Sequence, residues 1–309
     1  MFRALEFTKQ ALRSGWQSFV RRVGPHVPEY VKTKTTDILR VLRPARVTPD
    51  ALDASTEEDV GSEPETIRYT TEPLDENLCI YAIGDVHGRA DLLDKLLELI
   101  ETDAEPWEGK VHLIFLGDYV DRGLESRRVI ETLIGLQSVD CETTFLKGNH
   151  EEALLSFLND YKRGPVWANY GGRETLVSYG VRPPRSLAVS DDWQRAHEDF
   201  RQALPNEHEL FLKSLETSRR VGPFGFVHAG VRPGVPFDQQ NDRDKLWIRD
   251  TFLKAKAPED LMIVHGHTPT DAPYADQRRI GIDTGAYFTG RLSAVRIIGG
   301  EYSFISTRL

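Results

Sequence analysis

From Leu78 onward the apolar and polar positions of the chain switch repeatedly between two periods. Leu78–Ile83 and, His112 apart, Val111–Leu116 are apolar runs of strand length, the pattern of strands buried on both faces. Thr143–Lys147 reads as a third strand. Between the first two, Leu92, Leu93, Leu96, Leu97 and Ile100 fall on one face of a helix over 90–101, and a second helix is predicted over 125–137. Another helix opens at Gly148-Asn149-His150-Glu151. This order is a β-α-β-α-β unit, so a parallel sheet with right-handed crossovers is expected. Residues 152–217 read as mostly helical, with Trp167, Trp193 and Phe200 as core. Further strands are predicted at 225–227, 261–264, 279–282, 292–298 and 302–305, and no internal repeat is present.

Two segments precede this region. Residues 1–47 place Phe2, Leu5, Leu12, Trp16, Phe19, Val20 and Val23 at roughly helical spacing among Lys9, Arg13, Arg21 and Arg22. That is a basic amphipathic segment, and residues 1–25 are a candidate for peripheral contact with an anionic membrane; a helix packed on the protein body is the alternative. Residues 48–77 are rich in Asp, Glu, Thr and Pro and read as a solvated acidic linker. The main folded domain is therefore assigned to 78–309.

The formal net charge of −9 argues against a general nucleic-acid binder. Cys79 and Cys141 sit in or beside apolar runs and read as small buried hydrophobes rather than a disulfide or zinc site. No stretch approaches the roughly 20 apolar residues of a membrane span, and the N-terminus lacks a secretory core, so a cytoplasmic location is expected.

The chemistry lies at the strand ends, where open α/β sheets collect functional groups. Asp85 and His87, Asp118 and Asp121, Asn149 and His150, His228, and His267 each follow a predicted strand, nearly all beside glycine. Any one of these has a plain structural explanation, as a turn, a helix cap or a satisfied interior histidine. Five strand ends bearing carboxylate, amide and imidazole groups point instead to a shared site for divalent cations such as Mn, Fe or Zn.

Gly84-Asp85-Val86-His87-Gly88, Gly117-Asp118-Tyr119-Val120-Asp121-Arg122-Gly123 and Gly148-Asn149-His150-Glu151 resemble the signature of the calcineurin-like metallophosphoesterases, in particular the bacterial and phage-type serine/threonine protein phosphatases. The resemblance covers residues 78–300 and implies an α/β fold, a central β-sandwich flanked by helices with the β-α-β-α-β unit as its metal-binding core. It implies two divalent metal ions, one held by Asp85, His87 and Asp118, the other by Asp118, Asn149, His228 and His267. A bridging carboxylate suits two cations roughly 4 Å apart that lower the pKa of water. The resemblance makes His150 the general acid, Asp121 its orienting carboxylate and Arg122 a phosphate clamp. Arg249, in Leu246-Trp247-Ile248-Arg249-Asp250, is the second clamp, with Arg232 and Arg243 as competitors. His265 is read as a strand-end residue rather than a ligand's support.

Asp121 and Glu151 are features of the protein-phosphatase relatives, so a phosphoprotein or phosphopeptide is the expected substrate. Dinucleoside polyphosphate hydrolysis is the alternative, and a non-catalytic metal-binding scaffold is the remote one.

Overall fold

The structure is a computed structural model that describes residues 74–256 and 261–307. The amphipathic segment 1–47, including the membrane reading of 1–25, lies outside the described residues, as does the acidic segment up to residue 73. Residues 74–77 already belong to the folded body: Leu74 is buried, and the Asn77 carbonyl accepts a hydrogen bond from the Lys110 amide.

Two five-stranded sheets form the centre. The first runs in the order β10-β9-β1-β2-β3, built from β1 (Leu78–Ile83), β2 (Lys110–Phe115), β3 (Glu142–Phe145), β9 (Ser293–Ile298) and β10 (Glu301–Ser306). β1, β2 and β3 are parallel, as expected for crossovers through α1 (Ala90–Ala104) and α2 (Ser126–Leu136), while β9 and β10 add antiparallel. The second runs β4-β5-β6-β8-β7, from β4 (Ser218–Val221), β5 (Phe224–Val227), β6 (Met262–His265), β7 (Tyr274–Ala275) and β8 (Arg279–Gly281).

The period-2 alternation of β1 explains how the layers stack. Ile80 and Ala82 face one way, joining Ile114, Leu116, Phe224, Phe226, Val264, Ile280 and Val295 in a core between the sheets. Cys79, Tyr81 and Ile83 face the other way, onto Leu93, Leu96, Val129 and Leu133 of the flanking helices. The outer face of the second sheet is covered by Ile248 and Phe252 against Val227 and Ile263. A strand buried on both sides must be apolar throughout, which is why β1 reads as an uninterrupted run. The arrangement is the helix-flanked β-sandwich that the signature implies.

The helical middle comprises α3 (Asn149–Asn159), α4 (Gly164–Ala168), α5 (Gly172–Ser178), α6 (Asp191–Ala203) and α7 (Asn206–Ser214). Phe157, Trp167, Trp193 and Phe200 pack ring on ring at its centre, Phe157 and Trp167 stacked with centroids 4.8 Å apart. His208 is buried here, and its Nδ1 lies 2.9 Å from the Tyr179 hydroxyl. Burial holds its pKa below the ordinary 6.5, so the folded chain resists a proton that the unfolded chain accepts. Its contribution to stability is complete above pH 6.5 and declines as the pH falls below that value. His208→Phe should therefore lose less melting temperature than the wild type between pH 8 and pH 5.5; an equal loss would show that this histidine does not titrate differently on folding.

Candidate metal centre

Every predicted site residue but Arg249 follows the carboxyl end of a strand, and β1, β2, β3, β5 and β6 aim their ends at one place. The backbone there is strained. Among the described residues, the non-glycine residues with positive φ are His87, Asp118, Asp121, Arg122 and His267, at 47–73°. Left-handed backbone costs an L-residue about 1–2 kcal/mol. Such costs gathered in one cavity mark a functional site rather than random turns. Glycine supplies the close approaches: a Cβ at Gly148 would lie 2.1 Å from Asp118 Oδ1, and one at Gly266 would lie 2.1 Å from Asp85 Oδ1.

Glu151 ties these loops together. Its buried carboxylate accepts from the backbone amides of Gly148, Asp118 and Tyr119 at 2.8 Å and of Val120 at 3.3 Å. Burial and the Asp118 charge raise its pKa to about 7.

The imidazoles show what the centre is built to hold. His228 Nδ1 lies 2.9 Å from the Leu116 carbonyl, which can only accept, so Nδ1 carries the proton and Nε2 presents a lone pair. That lone pair faces Asn149 Oδ1 at 2.9 Å, His267 Nδ1 at 3.2 Å and Asp118 Oδ1 at 3.4 Å. His267 Nδ1 is also 2.8 Å from Asn149 Oδ1. Several acceptor atoms crowding together without enough protons between them is unfavourable unless a cation sits among them. Donors bound tetrahedrally at about 2.1 Å are themselves roughly 3.4 Å apart, close to these separations. His87 repeats the arrangement: Nδ1 donates to the Val120 carbonyl at 2.9 Å, and Nε2 turns to Asp118 Oδ2 at 3.5 Å. Backbone carbonyls thus fix both tautomers with a lone pair inward, as metal-binding histidines require. Asp118 gives one oxygen to each side.

Two donor groups emerge within 4.8 Å, His87–Asp118–His150 and Asp118–His228–His267, both fully buried. Burial pulls His87 down to about 3 and His267 down to about 2, and it lowers His228 as well. Burial thus favours the neutral ring, the form that ligates. For Asp118 burial acts upward, but His228, His150, His87 and His267 outweigh it and hold the carboxyl below its ordinary range. The residues present fit a pair of divalent cations.

Asp85 stands just past the end of β1. It is buried at the site, but both its oxygens accept from the His267 amide at 3.1 Å, and the donor group beside His87 contains His150 instead. Burial and the charges of Asp283 and Asp118 raise its pKa well above the carboxylate norm, and the His267 amide bond offsets part of that rise. Asp283 escaped the sequence reading. It is buried just past β8, accepts from the Gly285 amide at 2.9 Å and is pushed up to about 6, by burial first. It obeys the same pattern as the others, an acid after an apolar strand and beside Gly285.

His150 Nδ1 lies 2.7 Å from Asp121 Oδ2, and its Nε2 faces Asp118 Oδ2 at 3.8 Å and Arg122 Nη2 at 3.2 Å. Burial would lower its pKa, but Asp118 and Asp121 outweigh burial and raise it. Arg122 lies 4.7 Å over the Tyr287 ring. Arg249 is exposed, yet near enough for its charge to act on His228, His267 and Asp283. Its competitor Arg232 is held by Asp244 through two bonds of 2.7 Å. His265 lies on the outer face of the second sheet, between Arg279 (2.9 Å) and the Phe252 ring.

Aromatic rings flank the centre on two sides. Tyr287 is 5.6 Å from the His87 ring, with Phe288 beside it. Tyr170 is 6.2 Å from His150, and Trp247 is 6.4 Å from His267. Tyr170, Tyr287 and Phe288 are substantially exposed.

Comparison with known proteins agrees with this geometry. The chain is 28% identical over 238 residues to an asymmetrical bis(5'-nucleosyl)-tetraphosphatase, PrpE, of Anoxybacillus flavithermus, covering 69% of this chain and 88% of that protein. It is 26% identical over 245 residues to the protein of the same name from Oceanobacillus iheyensis, covering 73% and 91%. A crystal structure provisionally named a diadenosine tetraphosphatase has the same fold at a TM-score of 0.50 and 20% identity, covering 78% of this chain and 96% of that one. The calcineurin-like phosphoesterase model matches residues 79–294, the stretch that carries every strand end described above, and the chain belongs to that family.

Proposed function

We propose that this phosphoesterase hydrolyses bis(5'-nucleosyl) tetraphosphates asymmetrically, in preference to phosphoproteins. The observation that carries the reading is the shared name of relatives matched over about nine-tenths of their own length. The aromatic flanks support it, because exposed rings beside a phosphate site stack nucleobases, at about 1–3 kcal/mol per base. Asp121 and Glu151, which suggest phosphoserine or phosphothreonine in the sequence, do work common to both substrate classes. Asp121 holds His150, and Glu151 ties four loop amides; neither task depends on what carries the phosphate.

Divalent cations bound by Asp118, Asn149, His228 and His267, and by His87 with Asp85 nearby, would supply water of lowered pKa and offset phosphoryl charge. The chain's own residues do the rest. Arg122 and Arg249 grip phosphoryl oxygens, a planar guanidinium matching two oxygens at once. His150, held through Nδ1 by Asp121, delivers a proton from Nε2 to the departing oxygen. Water adds to a terminal-side phosphorus, one phosphoanhydride P–O bond breaks, and the four phosphates divide unequally into a nucleoside monophosphate and a nucleoside triphosphate.

The test compares kcat/KM for diadenosine tetraphosphate and a phosphoserine peptide with Mn²⁺ present. At least tenfold preference for the dinucleotide, yielding AMP and ATP, is expected. Faster turnover of the peptide would return the protein-phosphatase reading, and no hydrolysis of either above an Asp118→Asn control would favour a non-catalytic scaffold.

A further inference from the structure

The carboxylate that orients His150 is itself held by a segment far along the chain. Asp121 is fully buried, and besides His150 it accepts from the Trp167 indole, at 2.9 Å to Oδ2 and 3.1 Å to Oδ1, and from the Thr175 hydroxyl, at 2.7 Å to Oδ1. The Asp121 backbone amide contacts the same hydroxyl at 2.9 Å and Ser126 Oγ at 3.1 Å. One position on, the Arg122 amide donates to the Gly171 carbonyl at 3.1 Å. Trp167 lies in α4, Thr175 in α5 and Gly171 at the turn between them, so this pair of helices and its turn grip the whole Asp121-Arg122 turn. The fit leaves no slack: a Cβ on Gly171 would lie 2.5 Å from the Arg122 nitrogen, and one on Gly172 would lie 2.3 Å from the Trp167 ring.

A carboxylate has about four lone-pair sites and can rotate about its Cβ–Cγ bond. Here donors from three directions fix that rotation, and only one orientation leaves an oxygen 2.7 Å from His150 Nδ1. Both gripping residues are buried, Trp167 at 1% and Thr175 at 0% exposure, so neither touches substrate. Their polar atoms face Asp121, although both side chains would pack in a core without them.

We infer that Trp167 and Thr175 are positioning residues for proton delivery: through Asp121 they set the plane of the His150 ring and so the aim of its Nε2. This rests on the reading of His150 as proton donor. A residue acting this way matters in proportion to the leaving group's need for a proton, whereas a merely structural residue affects all substrates alike.

The test uses the full-length protein with Mn²⁺ and a series of substituted phenyl phosphates, from p-nitrophenyl to unsubstituted phenyl. Thr175→Val and Trp167→Phe preserve shape and remove the donor. Each should cost about tenfold more in kcat on the poor leaving group than on p-nitrophenyl phosphate, with KM unchanged, while Thr175→Ser should restore the wild-type ratio. A second readout is independent of turnover: the downfield Nδ1 proton signal of His150 in the metal-free protein, identified by its loss in His150→Asn. It should shift or broaden in Thr175→Val and Trp167→Phe and persist in Thr175→Ser. Losses independent of the leaving group, or an unchanged proton signal in both variants, would overturn the inference. Should His150→Asn itself show no dependence on the leaving group, the proton-donor reading fails instead, which separates the two claims.

Discussion

Asp118→Asn should lower turnover by on the order of a thousandfold while leaving the fold intact. The wild-type carboxylate presents Oδ1 to His228 Nε2 at 3.4 Å and Oδ2 to His87 Nε2 at 3.5 Å, so it serves both halves of the centre. An asparagine keeps one oxygen and replaces the other with an N–H₂ group. Oδ1 already accepts from the His150 backbone amide at 3.0 Å, which anchors the amide oxygen on that side. The N–H₂ would then face His87 Nε2 and donate to the lone pair that should bind a cation. The fold should survive because the Glu151 bonds reach the backbone amides of residues 118–120 rather than the substituted side chain. Steady-state kinetics with saturating Mn²⁺, beside a thermal melt, make the check. A well-folded variant within tenfold of wild-type turnover would remove Asp118 from the centre.

The second large effect is expected from His150→Asn. Proton transfer by a positioned group contributes about 10²–10⁴-fold. The full loss should appear with alkyl phosphates, whose leaving oxygen needs the proton most. A phosphoanhydride, whose leaving phosphate is stable without it, should suffer less. Asparagine is the useful replacement because its side chain can still bond to Asp121 across the 2.7 Å contact while carrying no transferable proton. The cations should be retained if Asn149, His228, His267 and Asp118 hold one and His87 and Asp118 contribute to the other. Loss of metal together with activity would instead make His150 a ligand, consistent with its presence among the donors around His87.

Much of this was legible in the sequence for one physical reason. Strands buried on both faces must be largely apolar runs, so a polar residue that ends one is conspicuous, and Asp85, Asp118, His228 and His267 stand out that way, while Asn149 follows a more polar strand and stands out by its glycine setting. The edge strands of the second sheet escape by the same logic. β4, Ser218–Val221, is only partly buried and reads Ser-Arg-Arg-Val, and β7 is two residues long. The short helices Asp242–Trp247, Asp250–Leu253 and Ala286–Thr289 hold too few residues to display a helical period. Trp167 was correctly read as core, yet an apolar pattern cannot say where an indole N–H points, and that direction is what ties it to Asp121. Asp121 and Glu151 do not discriminate between substrates in the structure, because their partners are an imidazole and backbone amides, common to any phosphoester this centre cleaves.

The central claim is that one buried carboxylate joins two cation sites. Elemental analysis of the protein, purified with Mn²⁺ and exhaustively washed, tests it most directly. Two equivalents per chain are expected for the wild type, and fewer than one for Asp118→Asn. One equivalent or none in an active wild type, or two retained by the variant, would contradict the account.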